Sequence, residues 1–461
     1  MKGRLKKAAG DPAYQQHKRA FLAAFPRVAV YTGEGASHSW IWFSDLLERL
    51  GIFDVRFITE VDILGDALSQ ADFLLVGGGD TYAMASSLGA EGADRIKQFV
   101  RDGGLYHGSC AGAYLVLAGV DLEPFTPFDL IDADIVNVMA DPPAPECLEH
   151  KYLAPYGDTW VFHPVYGEVE LAPGPAADGY SAFNGSGAVA TPLFGGPVLE
   201  VPDARCVLAD YSGVTDRAAF PWPRDRAQRL IEGRQAVAID RMGEGTVIAS
   251  GPHLEHPLFP RSNVLMAEAL GRHWQRSATR QRNAGVLDRS AGVPPADTNI
   301  SAGVPPADTN ISAGVPPADV SLLEIKRQVS NARIVGFGLE KLPVTWRIGL
   351  KVWEPEKIRM FLEYAWDRLP YLEARAARAL PLPMAELEQL ACGYGGVTVL
   401  AKTLKLKVES GQDSQAEALS LLTRLKELTA RFLSLYFALR LEDQAEGARS
   451  TLEDEAGWPA G

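Results

Sequence analysis

Cysteine is scarce in this chain: 4 in 461 residues, at positions 110, 147, 206 and 392. Their wide spacing fits neither a disulfide framework nor a pair of zinc-binding motifs, which points to a reducing, cytoplasmic setting. Long apolar runs are also missing. No stretch reaches the roughly 18–20 continuous apolar residues of a membrane span. The opening "MKGRLKKAAGDPAYQQHKRAFLAAFP" is basic but lacks the apolar centre of an export signal. Positive charge is not in excess. A formal net charge of −13 disfavours nucleic acid or an anionic membrane as the main partner. The phosphate-cradling G-x-x-x-x-G-K-[ST] pattern does not occur. "CLEH", with Cys147 and His150, has ligand-like spacing, and His163 follows at a distance. Without a second Cys/His pair no metal site is expected.

What is present is a length too great for one ordinary core and a change of pattern along it. Between 27 and 276, "RVAVYT", "DVRFIT", "ADFLLVGGG" and "GGLYHGS" read as short buried strands. They alternate with helical stretches such as "SWIWFSDLLERLG". That alternation predicts an α/β fold with a parallel sheet covered by helices on both faces. "QAVAIDRMGEGTVIASGPH" reads as a hairpin turning at Gly243 and Gly245, and "RSNVLMAEALGRHWQR" as a closing helix. "SAGVPPADTNI" then occurs twice in succession and once truncated. Each copy has two prolines and too little apolar surface to bury a face, so 277–320 is expected as a disordered linker. Apolar residues at three- and four-residue spacing from 321 to 445 predict a second, all-α domain, with Cys392 in its core. Residues 1–26 and 446–461 remain as an N-terminal extension and a tail.

The chemistry concentrates in "GGLYHGSCAGAYL". A strand that runs straight into a helix crowds the backbone at the residue between them, so positions minus two and plus two must be small. Here they are Gly108 and Gly112, around Cys110. This is the logic of a nucleophile elbow with sulfur in place of oxygen. The helix start favours thiolate over thiol, and the N–H of Ala111 is placed as an oxyanion donor. His253, in "ASGPHLEHP", also follows a strand, and Glu255 two residues on is spaced to hold its imidazole. His256 lacks that spacing and reads as a surface or gating residue. In "VGGGDTY", Gly78 or Gly79 offers a second oxyanion donor. Asp80 and Tyr82 either line the pocket or cap the next helix, capping being the stronger reading for Asp80.

Together "VAVYTGEGAS", "VGGGDTY", "GSCAGAYL", "FNGSGAV" and "GEGTVIASGPHLE" resemble the class I glutamine amidotransferase-like superfamily. Within it they look most like the amidotransferase-like N-terminal domain of biotin–protein ligases. The resemblance covers 27–276 and implies a flavodoxin-like fold with Cys110 as nucleophile, His253 as base and Glu255 as orienter. It implies no cofactor. Two departures stand out: Leu254 occupies a position usually held by proline, which would loosen the loop, and no ligase catalytic domain follows. Cyanophycinase-like and dipeptidase-E-like peptidases share part of the layout with serine as nucleophile. The expected function is a cysteine-dependent amidase or amidotransferase-like hydrolase acting on a small carboxamide, γ-glutamyl compound or peptide. The alternative is a catalytically silent ligand-binding or regulatory module. Its C-terminal helices would then serve a protein partner or self-association.

Overall fold

The structure, a computed structural model, describes residues 17–18, 21, 25–117, 122–139, 153–156, 159–185, 187–220, 223–283 and 317–456. Four strands form where the apolar runs predict them: β1 (Val28–Tyr31), β2 (Val55–Ile58), β3 (Phe73–Val76) and β4 (Leu105–Ser109). β1, β3 and β4 are buried along their whole length, as strands covered on both faces must be. Helix α1 (Trp40–Leu50) joins β1 to β2, α2 (Thr81–Arg101) joins β3 to β4, and the short α3 (Ala111–Tyr114) follows β4. α1 buries Trp40, Ile41, Phe43, Leu46, Leu47 and Leu50 and ends on Gly51 in the left-handed region, the usual helix stop.

Further along come β5 (Gly167–Pro173), β6 (Val189–Leu193), β7 (Val207–Val214), β8 (Gln235–Asp240) and β9 (Thr246–Ser250), then helix α4 (Pro260–Asn283). The main sheet runs β6-β5-β7-β8-β9-β4-β3-β1-β2. β9, β4, β3, β1 and β2 pair in parallel, while β8 returns antiparallel to β9 as the expected hairpin. Gly243 makes its turn at φ +59°. The architecture is therefore mixed α/β with a largely parallel centre. Cys147 and His150, the repeats at 290–316 and most of the N-terminal extension lie outside the described residues.

The C-terminal region departs from expectation. It holds α5 (Pro317–Leu339), α6 (Pro355–Ala377), α7 (Met384–Glu409) and α8 (Gln415–Ala456), but it is not all-α. Between α5 and α6 lies a hairpin of β10 (Trp346–Ile348) and β11 (Lys351–Trp353), turning at Gly349 with φ +60°. Its aromatic and branched residues alternate across a glycine, a strand signal that long helical periodicity on either side obscures. Residues 277–283 and 317–320, expected within the linker, are helical, as are 446–456 of the expected tail. Cys392 is exposed rather than in the core. The helix turns its neighbours Leu390, Gly393 and Tyr394 inward instead.

The helices do not stand apart from the sheet. Buried apolar residues of both regions form one continuous cluster. Trp40 of α1 packs against Phe361 of α6, and Phe53 and Phe57 against Phe437 of α8. At the centre of this contact the buried Arg368 donates to Asp45 at 2.8 Å and Glu48 at 2.9 Å. Tyr364 and Tyr436 donate to the same two carboxylates. Among the described residues no helix is long and apolar enough to cross a membrane.

Candidate active site

At the carboxyl ends of β3, β4 and β9, where parallel sheets present their ligands, three sequence-predicted residues meet. Cys110 follows β4 with φ 55° and ψ −110°, a strained conformation for a residue other than glycine. The glycines around it explain how the turn closes. A Cβ on Gly108 would lie 2.1 Å from the carbonyl oxygen of Gly112, and one on Gly112 would lie 2.4 Å from that of Val76. The Cys110 N–H donates to Ser250 O at 2.9 Å, tying the elbow to the end of β9.

His253 stands three residues beyond β9. Its Nδ1 is 2.7 Å from Glu255 Oε1, and its charge acts on the thiol of Cys110, whose Sγ donates to the Phe194 carbonyl at 3.7 Å. Both His253 and Glu255 are buried. The second Glu255 oxygen accepts from Ser109 Oγ at 2.9 Å, and Ser109 Oγ is 3.1 Å from His107 Nε2. Glu255 is thus held from two sides. His107 and Ser109 were missed in the sequence, although their alternation on β4 puts them on one face. The His253 ring is walled by Trp42 and Phe194, with centroids 5.1 and 5.9 Å away.

Burial pushes the Cys110 thiol up, but the hydrogen bond and charge of His253, Lys351 and the Ala111 N–H outweigh it, leaving the group below the ordinary thiol value. For His253 the order is similar. Burial lowers it, and Glu255 and Cys110 together raise it to about 9. Burial likewise raises Glu255, yet the facing imidazole brings it below the usual carboxylate range. Each of the three shifts is thus toward the charged form of its group.

The other expected residues divide. The Gly78 N–H donates to Ser39 Oγ at 2.7 Å and the Gly112 N–H to Gly77 O at 3.1 Å, so neither serves as an oxyanion donor. Gly78 is instead a space requirement, because a Cβ there would come within 2.9 Å of His253 Cε1. Gly79 and Ala111 line the cavity beside Cys110. Asp80 caps α2, accepting from the Ala83 N–H at 3.1 Å. Its other oxygen accepts from the Leu350 N–H of the C-terminal hairpin at 2.6 Å. Tyr82 lines the cavity edge-on to Phe125. His256 is not a surface residue: it is half-buried against Trp42, centroids 4.4 Å apart, and burial drives it down to about 3.

The Leu254 loop is not loose. Leu254 is buried, and its carbonyl accepts from Ser262 Oγ and Asn263 Nδ2 at 2.8 and 2.7 Å. The cavity beside Cys110, of ≈ 110 Å³, is also lined by Leu350, Lys351 and Val352 of the C-terminal hairpin. These residues were missed because nothing local marks them. No cluster of three or more potential metal ligands occurs among the described residues.

Residues 26–125 match the family model described as "Biotin-protein ligase, N terminal", in agreement with the resemblance seen in the sequence. This part of the chain is similar to that amidotransferase-like domain. No curated protein matches the chain. Among solved structures, a beta-galactosidase from Bacillus circulans sp. alkalophilus aligns at 14% identity and TM-score 0.27, covering 53% of this chain and 31% of that one. A beta-galactosidase from Rahnella sp. R3 aligns at 13% identity and TM-score 0.28, with 54% and 31% covered. The exo-beta-1,4-mannosidase Op5Man5 from Opitutaceae bacterium strain TAV5 aligns at 13% and 0.29, with 57% and 37% covered. The chain therefore spans well under half the length of these structures.

Proposed function

We propose that this chain is a cysteine-dependent amidase or amidotransferase-like hydrolase, and that Cys110, His253 and Glu255 are its catalytic triad. The carrying observation is the buried His253 ring, held by Glu255 through Nδ1 and acting with its charge on the Cys110 thiol. The Cys110 thiolate attacks the carbonyl carbon of a small amide, and the N–H groups of Ala111 and Gly79 receive the oxyanion. As the tetrahedral adduct collapses, the C–N bond breaks and the His253 imidazolium gives its proton to the leaving amine. The neutral imidazole then takes a proton from water, whose oxygen attacks the thioester. The adduct expels the Cys110 thiolate, the acid leaves, and the thiolate–imidazolium pair is restored. Carboxamides, γ-glutamyl compounds and small peptides are the donor classes this chemistry serves. The order β2-β1-β3-β4-β9 of the parallel strands supports a flavodoxin-like reading of residues 27–276, followed by a linker and a second domain.

Brief iodoacetamide treatment near neutral pH tests the reading. Mass spectrometry is expected to find Cys110 alkylated faster than Cys392, although Cys110 is buried and Cys392 exposed. Equal or slower labelling of Cys110 would remove the activated thiolate. One observation favours a silent binding module instead: Cys110 is only 5% exposed beneath the hairpin. Thermal shifts with glutamine, biotin and γ-glutamyl compounds that persist in Cys110→Ala, without turnover in the parent, would support that second reading.

A further inference from the structure

Among the described residues ten large apolar side chains are exposed, and six of them lie on α5 and α7. Val320, Leu323, Ile334 and Phe337 stand on α5, and Val399 and Leu406 on α7. The two helices are neighbours and run parallel. Thr398 Oγ1 donates to Gln328 O at 3.0 Å. A Cβ on Gly395 would lie 3.9 Å from Gln328 Cδ, and one on Gly338 would lie 2.9 Å from Lys405 Cε. Residue 328 is therefore level with 395–398, and 338 with 405. The inner sides of the pair pack on α6 and α8. Their outer sides make one two-helix face, on which Leu323 is 67% and Ile334 69% exposed. Contiguous apolar area of this kind marks an interaction site.

The face is built as its own complement. On α5, Val320 and Phe337 are equally distant from the midpoint of Gln328 and Val329, and so are Leu323 and Ile334. On α7, Glu388 and Lys402 are equally distant from Gly395, which is level with Gln328. Both charged side chains are exposed, and neither has an ion-pair partner among the described residues. About 21 Å apart along one helix, they cannot reach each other within the chain. The glycines of α7 add a third sign, since glycine weakens a helix interior. Gly393 has an internal reason: a Cβ there would meet Leu428 Cδ2 at 2.4 Å. Gly396 has none, for its Cβ would find no atom within 4 Å, and that of Gly395 only Gln328 at 3.9 Å. Bare backbone at that level lets a second helix cross closely.

We propose that the outer face of α5 and α7 is the interface of a homodimer, with a twofold axis crossing both helices at the level of Gln328 and Gly395. Rotation about that axis lays α5 on α5 and α7 on α7 of the second copy, running in opposite directions. Val320 then meets Phe337 of the second copy, Leu323 meets Ile334, Glu388 meets Lys402, and each contact occurs twice. Arg327, also near the axis, is neutralised by Glu324 of its own helix at 2.8 and 2.7 Å. A strip about 34 Å long and about 20 Å wide offers on the order of 700 Å² per copy, close to the roughly 800 Å² per partner of a standard interface. An unrelated partner would not need this symmetry. An anionic membrane is disfavoured by Glu388 on the face and by a net charge of −13. The dimer is independent of the chemistry at Cys110.

Sedimentation equilibrium of the full chain at micromolar concentration is expected to give twice the monomer mass. Ile334→Asp, at a position open to water in the single chain, should leave the circular dichroism unchanged and weaken association about tenfold or more. Glu388→Lys sets like charges against each other across the axis and should weaken association several-fold. Adding Lys402→Glu should restore the parent value, a rescue that no contact within one chain can give. Bismaleimidohexane reads the register. The two Cys392 side chains, exposed on the same face of α7, would stand about 9 Å apart along the helices, outside disulfide range. Mass spectrometry should find them joined to each other by the reagent. A monomer at every concentration, or a dimer that Ile334→Asp leaves unchanged, overturns the proposal. So does a dimer that Glu388→Lys weakens and the second swap does not rescue. A monomer that floats with phosphatidylserine vesicles gives the face to lipid and overturns it as well. Should Ile334→Asp fail to fold, the charge swaps at two exposed positions still decide.

Discussion

The α/β region and the helical region hold their shapes by different means. Around Cys110 the backbone itself is the constraint, with glycines at 108 and 112 where a Cβ would meet main-chain atoms at 2.1 and 2.4 Å. In the helical region side chains do the work. Apolar faces pack, and the buried Arg368 ties α6 to two carboxylates of α1. The first kind of order closes the turn that carries Cys110 against its neighbours' main chain. The second is coarser, but it brings a hairpin of the C-terminal region to the cavity that Cys110 lines. The cavity beside Cys110 is lined from both, one wall fixed by local sterics and the other by a distant packing contact.

The contrast is broken most severely by removing Arg368. Arg368→Met leaves the half-buried Asp45 without this cation and Glu48 with only Arg440, 3.3 Å away, a change that costs about 3 kcal/mol. Urea unfolding followed by circular dichroism should show it. Neutralising the carboxylates as well, in Asp45→Asn/Glu48→Gln/Arg368→Met, should recover most of the loss, because the uncompensated charge and not the missing attraction is the larger effect. If the single variant loses less than about 1 kcal/mol, the contact is no anchor.

A smaller effect is expected at the hairpin turn. A Cβ on Gly349 would fall 2.3 Å from Asp80 Oδ2, and its φ of +60° is unfavourable for other residues. Gly349→Val should cost about 1–3 kcal/mol of local strain, and the hairpin will relieve it by leaving Asp80. Cys110 then becomes more accessible, and iodoacetamide should label it several-fold faster, with the melting of the rest little changed. Unchanged labelling would mean the hairpin does not cover the thiol.

These two regions also differ in how much the sequence discloses. The elbow is legible because its demand is local: two small residues at fixed offsets from Cys110, a strand before and a helix after. His253 and Glu255 are legible as a pair because two residues of spacing at a strand end suffice to join them. The open N–H of Gly79 and the engaged N–H of Gly78 are not separable by sequence, since Ser39, which takes the latter, sits in another loop. The hairpin that carries Lys351 is less visible still. Its position depends on four helices packing in one arrangement, and its short strands lie between helical stretches whose periodicity dominates.

Next in size is the effect of His253 on the thiol. In the parent protein the alkylation rate of Cys110 should reach half its plateau below the ordinary thiol value, because the imidazolium favours the thiolate over the buried thiol. His253→Ala removes the hydrogen bond and the charge and leaves burial, which favours the protonated form. The midpoint must then move upward. A shift of one pH unit makes the thiolate about tenfold scarcer on the acid side of both midpoints, or roughly 1.4 kcal/mol. The pH profile of iodoacetamide labelling measures this, with the parent and variant compared from pH 5 to 10. A profile that does not move separates Cys110 from His253 and removes the triad.

The smallest effect is expected where the resemblance to the ligase domain breaks. Leu254 replaces the usual proline, yet its turn needs neither residue in particular. The His256 N–H bonds His253 O at 3.2 Å, which puts Leu254 at the second position of a four-residue turn, the place where proline is favoured. The bonds that hold the loop go to the Leu254 carbonyl, and proline keeps a carbonyl. Leu254→Pro would lose some packing of a buried side chain while restricting the unfolded chain, a gain of about 0.4–1 kcal/mol at compatible positions. The two nearly cancel, so Cys110 labelling should stay within about twofold of the parent and stability within about 1 kcal/mol. A tenfold fall in labelling would show that leucine, not the turn, sets the position of Glu255.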